Sequence, residues 1–373
     1  MLVNFIDLES QFKEIGDEIN KRIQDVLSHQ RFILGPEVVE LESLLADFGK
    51  AKYALSCANG TDALKLPLMA WGIGPGDAVF CPSFTYCASA ESIAALGASP
   101  VFVDIDRQTY NISAASLERA IQDVLEQGDL TPRAVMSVDL FGQSADYEKI
   151  APITRAHGLK LIADSAQGFG STLNGKHPLE WADVTATSFY PAKPLGCYGD
   201  GGAMLTNDAE LAGLLDSLRV HGRGTDKYDN VHIGLNSRLD TLQAAILIPK
   251  LAIFRDEIQK RQAVAQRYIE GLSGHVLRVP HLAKGASSTW AQFTIEVQDP
   301  QKLMDAFSSK SIPSARYYPK PVHLQTAYTG YPSASDGLSH TEDCMGKTVS
   351  LPMNPYLNQQ VQDVIIEAVK AAS

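Results

Sequence analysis

From residue 53 the chain alternates short apolar runs with amphipathic stretches, and this alternation narrows the possible folds more than any other feature. The runs are Tyr53–Ala58, Ala78–Cys81, Pro100–Ile105, Ala134–Val138, Leu159–Ala163, Val184–Phe189 and Ala203–Leu205. Each is short, nearly continuous and rich in Val, Ile, Leu, Phe and Ala. Strands buried on both faces read this way, because a parallel sheet needs crossover helices that cover it on both sides. The expectation is an α/β fold with a mostly parallel sheet. Ligands of such sheets sit beyond the carboxyl ends of the strands, so the polar residues just after each run are the ones to examine.

Ahead of the alternation, Leu8, Phe12, Ile15, Ile19, Ile23 and Leu27 recur at spacings of three and four, which predicts a helix over 8–29. A second helix follows Gly35-Pro36, with Val38, Val39, Leu41, Leu44 and Leu45 as its apolar positions. After residue 230 the pattern changes. Leu239–Leu247 and Leu251–Leu272 read as helices with Pro249 between them, and a proline inside a helical pattern kinks or ends the helix. With 373 residues, two domains are expected. The boundary is placed at Pro249: a large domain over 1–248 and a smaller C-terminal α/β domain over 249–373. In the latter, Thr289–Val297 and Ser311–Tyr318 read as strands and Gln359–Ala371 as a closing helix.

The formal net charge is −11. Nucleic acid and anionic membranes both need basic surface, so neither is an expected partner. An anionic small ligand needs only a local pocket of donors. Cys57, Cys81, Cys87, Cys197 and Cys344 are scattered without a C-x-x-C pair, which points to reduced thiols and a cytoplasmic protein. The first residues, M-L-V-N-F-I-D-L-E-S, carry no basic region followed by a long apolar run, so neither a signal peptide nor a membrane span is expected.

Five constellations follow the runs. Asn59-Gly60-Thr61-Asp62 stands between a run and a helix, where backbone N–H groups face an anion and Thr61 could cap; a plain capped helix is the alternative. Pro67 lies too deep in that helix for a first-turn proline, so a kink is expected. Tyr86, in Pro82-Ser83-Phe84-Thr85-Tyr86, could stack on a planar ligand or simply be a surface aromatic. Asp164 stands one step past a buried run, with Gln167 three further on; the pair suits a cationic ring nitrogen and a ring oxygen, or else a turn cap. Ser188 offers a hydroxyl five residues before Lys193, which prolines 191 and 194 bracket on a glycine-rich loop; such a lysine is a nucleophile or solvated decoration. Asn236 and Arg238 open a helix after Gly234 and could reach an anion, or be a cap and a surface arginine.

Weak singly, these signals in this order meet the needs of pyridoxal phosphate. That cofactor needs a partly neutral lysine, a carboxylate at the ring nitrogen, an aromatic face and a phosphate cradle. The sequence resembles the DegT-type nucleotide-sugar aminotransferases, pyridoxal phosphate enzymes with the aspartate aminotransferase fold. The motifs that carry the resemblance are N-G-T-D-A-L (59–64), P-S-F-T-Y (82–86), D-S-A-Q (164–167), S-F-Y-P-A-K (188–193), G-D-G-G-A (199–203) and G-L-N-S-R-L-D (234–240), all in family order over nearly the whole chain.

The resemblance implies roles. Lys193 matches the Schiff-base lysine and proton shuttle, Asp164 the partner of the pyridine nitrogen, Gln167 a contact of the ring hydroxyl, and Tyr86 the stacking aromatic. Gly60, Thr61, Asp62 and Ser188 match the phosphate cradle. Asn236 matches a phosphate ligand given by a second subunit, which implies a homodimer with shared active sites. Arg238, Tyr317, Tyr318 and His323 match substrate-side residues. No metal is implied. Because the chain keeps Lys193 where some relatives have histidine, transamination is favoured over removal of a hydroxyl. The implied reaction passes an amine from L-glutamate to a keto sugar on a nucleotide. The P-A-K-P-L-G-C-Y-G-D-G-G run is most like enzymes that aminate a UDP-linked N-acetyl keto-hexuronate at carbon three, a step in surface polysaccharide (O-antigen) precursor synthesis. Amination at carbon four of a keto-deoxy sugar is the alternative. A dinucleotide oxidoreductase would need G-x-G-x-x-G after the first run, where Asn59-Gly60-Thr61 stands instead. A silent ligand sensor on the same fold would be expected to carry a basic DNA-binding segment, and none is visible.

Overall fold

All seven apolar runs form strands of one sheet: β1 (Tyr53–Cys57), β2 (Asp77–Pro82), β3 (Ser99–Val103), β4 (Thr131–Val138), β5 (Lys160–Asp164), β6 (Val184–Ser188) and β7 (Gly202–Thr206). The computed structural model describes residues 3–226 and 228–372. The strand order is β1-β7-β6-β5-β4-β2-β3. Only β7 runs against its neighbours, β1 and β6; every other pairing in the sheet is parallel.

The strands read as continuous apolar runs because successive side chains enter different cores. Val79, Phe102, Ile162 and Met204 pack on one face, beneath α3 (Gly60–Ala70), α4 (Ala88–Ala94) and α7 (Ala209–Leu218). Phe80, Val101, Val135 and Leu161 pack on the other, against α5 (Ala114–Gln127) and α6 (Tyr147–Ala156). Ala203 and Leu205 meet α2 (Pro36–Gly49) and α8 (Thr241–Leu272). Helix α1 (Leu8–His29) is capped by Asp7, whose side chain accepts from Ser10 N at 3.0 Å, and packs on α8.

A two-stranded antiparallel sheet, β8 (Phe293–Glu296) with β9 (Thr348–Leu351), has its own core. Val264, Tyr268 and Leu272 of α8 enter it together with residues of α9 (Pro300–Ser309) and α11 (Gln359–Ala372). Between them, α10 (Ser339–Met345) is tied to the main sheet by Asp104, which accepts from Thr341 N at 2.8 Å.

Two expectations are corrected. Pro249 does not separate two helices; α8 runs through it for 32 residues. Proline removes one backbone hydrogen bond, but here it lies in a buried stretch packed against α1 and α2, and such packing supplies most of a helix's stability. Ser311–Tyr318 is not a strand. Pro313 has no N–H for a ladder, and pairing is confined to one bridge, in which Ser350 N donates to Ala315 O at 2.8 Å. The partner of β8 is instead β9, four residues whose short T-V-S-L alternation gives little signal. Pro67 lies inside α3, which continues to Ala70. All five cysteines are unpaired. Among the described residues, no helix is long and apolar enough to cross a membrane.

Candidate active site

At the carboxyl ends of the central strands, β5 and β6 pair with Asp164 opposite Ala186. Asp164 closes β5 and is buried. Its Oδ2 accepts from Ser89 Oγ at 2.9 Å and its Oδ1 from Ala166 N at 3.2 Å. Burial pushes its pKa up, while those two donors and the charge of Lys193 pull the other way; the net direction is upward. Lys193 sits on the turn after β6, with its N–H on Tyr190 O at 2.8 Å. Burial lowers the Lys193 pKa, against the pull of Asp164. The two groups thus act on each other in surroundings that disfavour charge on both.

Beside them, α3 begins at the turn after β1. Asn59 caps it, its Oδ1 accepting from Asp62 N at 2.8 Å, so Thr61 is not the cap. A Cβ on Gly60 would stand 2.6 Å from Ser188 Cβ. Glycine is therefore what lets the first turn of α3 press on the end of β6. Thr61 and Asp62 lie partly buried on that turn, where N–H groups lack intrahelical partners. Ser188 Oγ accepts from Tyr190 N at 3.3 Å.

Tyr86 lies just ahead of α4, 58% exposed as a residue, three residues before the Ser89 that bonds Asp164. Gln167 is buried; its Oε1 accepts from Phe141 N at 2.6 Å and its Nε2 donates to Tyr318 OH at 3.0 Å. Tyr318 and Tyr317 are neighbours, ring centroids 5.7 Å apart, both with pKa raised by burial. His323 is placed farther back along the chain's own contacts: Nδ1 shares a 2.6 Å bond with Ser83 Oγ, and Nε2 lies 3.4 Å from Glu342. Asn236 is exposed, and Arg238 donates to its Oδ1 at 2.7 Å. Between them, Ser237 Oγ accepts from Ala58 N at 3.2 Å, which ties this segment to the turn that opens α3.

Residues 13–370 match the DegT/DnrJ/EryC1/StrS aminotransferase family. This chain belongs to that family. A Pseudomonas aeruginosa relative named UDP-2-acetamido-2-deoxy-3-oxo-D-glucuronate aminotransferase is 44% identical over 370 residues, covering 99% of each chain. A solved Brucella abortus aminotransferase of the family is 49% identical, with a TM-score of 0.97 over 99% of this chain and 98% of its own. A Bacillus subtilis structure with bound cofactor PMP is 29% identical, with a TM-score of 0.87 over 96% of this chain and 82% of its own.

In this DegT-family aminotransferase two polar residues near the site escaped the sequence reading. Ser89 had no local signal; only the fold brings it to Asp164. Asp139 was discoverable, since it is the first polar residue past the β4 run. It is fully buried, and accepts from Ser165 Oγ at 2.5 Å, Tyr147 OH at 2.8 Å and Ala145 N at 2.9 Å. Burial raises its pKa from 3.8 to about 7 despite those bonds. The folded chain then keeps a proton there over a window in which the unfolded chain has lost it. The resulting stabilisation is full below pH 4 and lost as pH rises through 7. Urea unfolding is expected to show stability from this group falling across that window by up to about 1.4 kcal/mol per pH unit. Asp139→Asn should remove that slope, and an unaltered slope in the variant would contradict the assignment.

Proposed function

We propose that this aminotransferase uses pyridoxal phosphate to move an amino group from L-glutamate to the keto carbon of a nucleotide-linked sugar. The proposed substrate is UDP-2-acetamido-2-deoxy-3-oxo-glucuronate, the product its 3-amino sugar, and the setting the synthesis of surface polysaccharide precursors. One observation carries the reading: Lys193 and Asp164 act on each other at the sheet's carboxyl end, each in surroundings that disfavour its charge. The substrate is supported by the name and 44% identity of the Pseudomonas aeruginosa relative, and the cofactor by the PMP bound in the Bacillus subtilis structure.

The residues fit the cofactor. Asp164 is a buried carboxylate with one donor on each oxygen and a raised pKa, short of the full cationic partner that a protonated ring nitrogen would be. The first turn of α3, with Thr61, Asp62 and Ser188, offers N–H groups and hydroxyls for a phosphate. Tyr86 presents an exposed ring face, and Gln167 an amide beside Tyr318.

When bound, the cofactor supplies a protonated ring that accepts the electron pair left at the amino-acid α-carbon. Lys193 then has two tasks. Its lowered pKa makes the neutral amine available nearer neutral pH, and its Nζ removes the proton from the donor's α-carbon. In the second half it delivers a proton to the sugar carbon that gains nitrogen. Over both halves glutamate becomes 2-oxoglutarate and the keto sugar becomes the amino sugar, with no net oxidant.

Arg238, Tyr317, Tyr318 and His323 are assigned to the substrate side. We also assign a homodimer in which Asn236 reaches the partner's phosphate cradle, supported by its exposure and by Ile233, 91% exposed three residues earlier. A cytoplasmic location accords with five unpaired cysteines. A division into two domains is supported by the separate cores of the two sheets, although Leu251, Phe254, Val322, Tyr328 and Leu338 pack with the large sheet and Val3 with the small one.

The test offers the 3-keto UDP-hexuronate and a 4-keto-6-deoxy nucleotide sugar with L-glutamate, and follows glutamate loss and the new amine by mass. A kcat/KM at least about 100-fold higher for the 3-keto sugar is expected, a discrimination of about 2.7 kcal/mol. Amination of the 4-keto sugar alone would replace the substrate assignment.

A further inference from the structure

Helix α8 carries a buried lysine for which the reaction outlined above has no task. Lys250 is 1% exposed, and its Nζ donates to Gly196 O at 2.7 Å. The same ammonium stands 4.2 Å from the centre of the Tyr198 ring. An ammonium buried in a protein interior costs stability unless a specific partner compensates. An unbranched apolar side chain would fill the same space without that cost, so the charge needs a reason.

The reason lies in what Gly196 belongs to. The segment from Phe189 to Gly199 is a closed loop with Lys193 at its far side. Cys197 N donates to Phe189 O at 2.8 Å, and Lys193 N to Tyr190 O at 2.8 Å. A Cβ on Gly196 would stand 2.7 Å from both Tyr190 O and Pro191 O, so the two arms of the loop touch there. Holding the Gly196 carbonyl therefore holds the arm that leads to Lys193. A second grip lies seven residues, or two turns, earlier on α8: Gln243 Oε1 accepts from Tyr198 N at 2.9 Å and its Nε2 donates back to Tyr198 O at 3.4 Å. One helix face thus clamps the loop at two points, Gly196 and Tyr198.

We propose that Lys250 is a positioning residue for Lys193, its ammonium anchoring the lysine-bearing loop to α8 through the Gly196 carbonyl and the Tyr198 ring. This rests on the assignment of Lys193 above. Charge-assisted hydrogen bonds and cation–π contacts strengthen where water is excluded. Proton transfer tolerates little misplacement, and errors near 1 Å cost on the order of 100-fold in rate. Lys250 shares a small polar cavity behind the loop with Lys193, with Glu257 and Arg261 of its own helix, and with Asp7 and Tyr356 across it. Burial lowers the Lys250 pKa to about 8, with Glu257 and Cys197 opposing that shift.

The experiment compares the cofactor-loaded wild type with Lys250→Met and Gln243→Ala. Four quantities are read: Tm, kcat and KM for glutamate, the pH midpoint of the visible cofactor band, and hydrogen exchange of the peptide 189–199. For Lys250→Met, a Tm equal to or above that of the wild type is expected, since a buried charge is gone. Its kcat should fall at least tenfold with KM within threefold, the midpoint should move by half a pH unit or more, and exchange in 189–199 should quicken at least tenfold. Gln243→Ala should shift the same readouts in the same directions by a smaller amount, and it decides the matter if Lys250→Met does not fold. A variant that folds with kcat within twofold and an unmoved midpoint would overturn the proposal. A wild type in which borohydride fixes no cofactor on the Lys193 peptide would overturn both this inference and the assignment beneath it; labelled Lys193 with indifferent variants would overturn this inference alone.

Discussion

Lys193→Ala is expected to lower amine transfer by about 10³–10⁴-fold, near the upper end of what a positioned general base contributes. The side chain stands where burial holds its pKa below the usual lysine value, against the upward pull of Asp164. Alanine offers neither an amine nor a proton carrier. The check is mass detection of glutamate loss and of the new amine in wild type and variant. Borohydride treatment of the loaded wild type should add the cofactor's mass to a peptide containing Lys193, and the variant should take up none there. Turnover within tenfold of wild type would remove Lys193 from the mechanism.

The second large effect is expected at Asp164. Asp164→Asn keeps the shape and leaves an oxygen for Ser89 or Ala166, but takes away the negative charge. Removing one member of a buried charge pair costs about 3–5 kcal/mol, which corresponds to a loss of roughly 10²–10⁴-fold in kcat if that pair stabilises the charge that builds up during proton removal. A second consequence has a definite sign. Asp164 raises the Lys193 pKa, so the variant's Lys193 should titrate lower, and the acid limb of the pH–rate profile for the glutamate half-reaction should move to lower pH. Full activity with an unmoved profile would refute the pairing. Asp164→Ala, which also strips the partner from the Ser89 hydroxyl, should be less stable than Asp164→Asn.

Much of this was legible in the residues. Seven apolar runs became seven strands of one sheet, because strands buried on both faces leave a strong and simple signal. Asp164 and Lys193 stood out because each follows such a run, and the topology brings the ends of β5 and β6 together. What escaped was tertiary. Nothing around Ser89 announces a bond to a residue 75 positions on. Pro249 reads as a stop in any local rule, yet the buried packing of α8 on α1 and α2 overrides it. β9 is too short to separate from background, and the stretch 311–318 ends in two tyrosines but is denied a ladder by Pro313. His323 was placed with the substrate-side residues from the resemblance, while its bonds to Ser83 and Glu342 join two parts of the chain that sequence alone leaves unconnected.

The uninterrupted course of α8 has a mechanical consequence. Thirty-two residues at 1.5 Å each make a shaft about 48 Å long, rooted at one end beside the Lys193 loop and at the other in the core of the two-stranded sheet. Such a strut makes a poor joint. If turnover opens and shuts the cleft, rotation at the far end would be transmitted along α8 as torque to Gln243 and Lys250, and through them to the reactive amine.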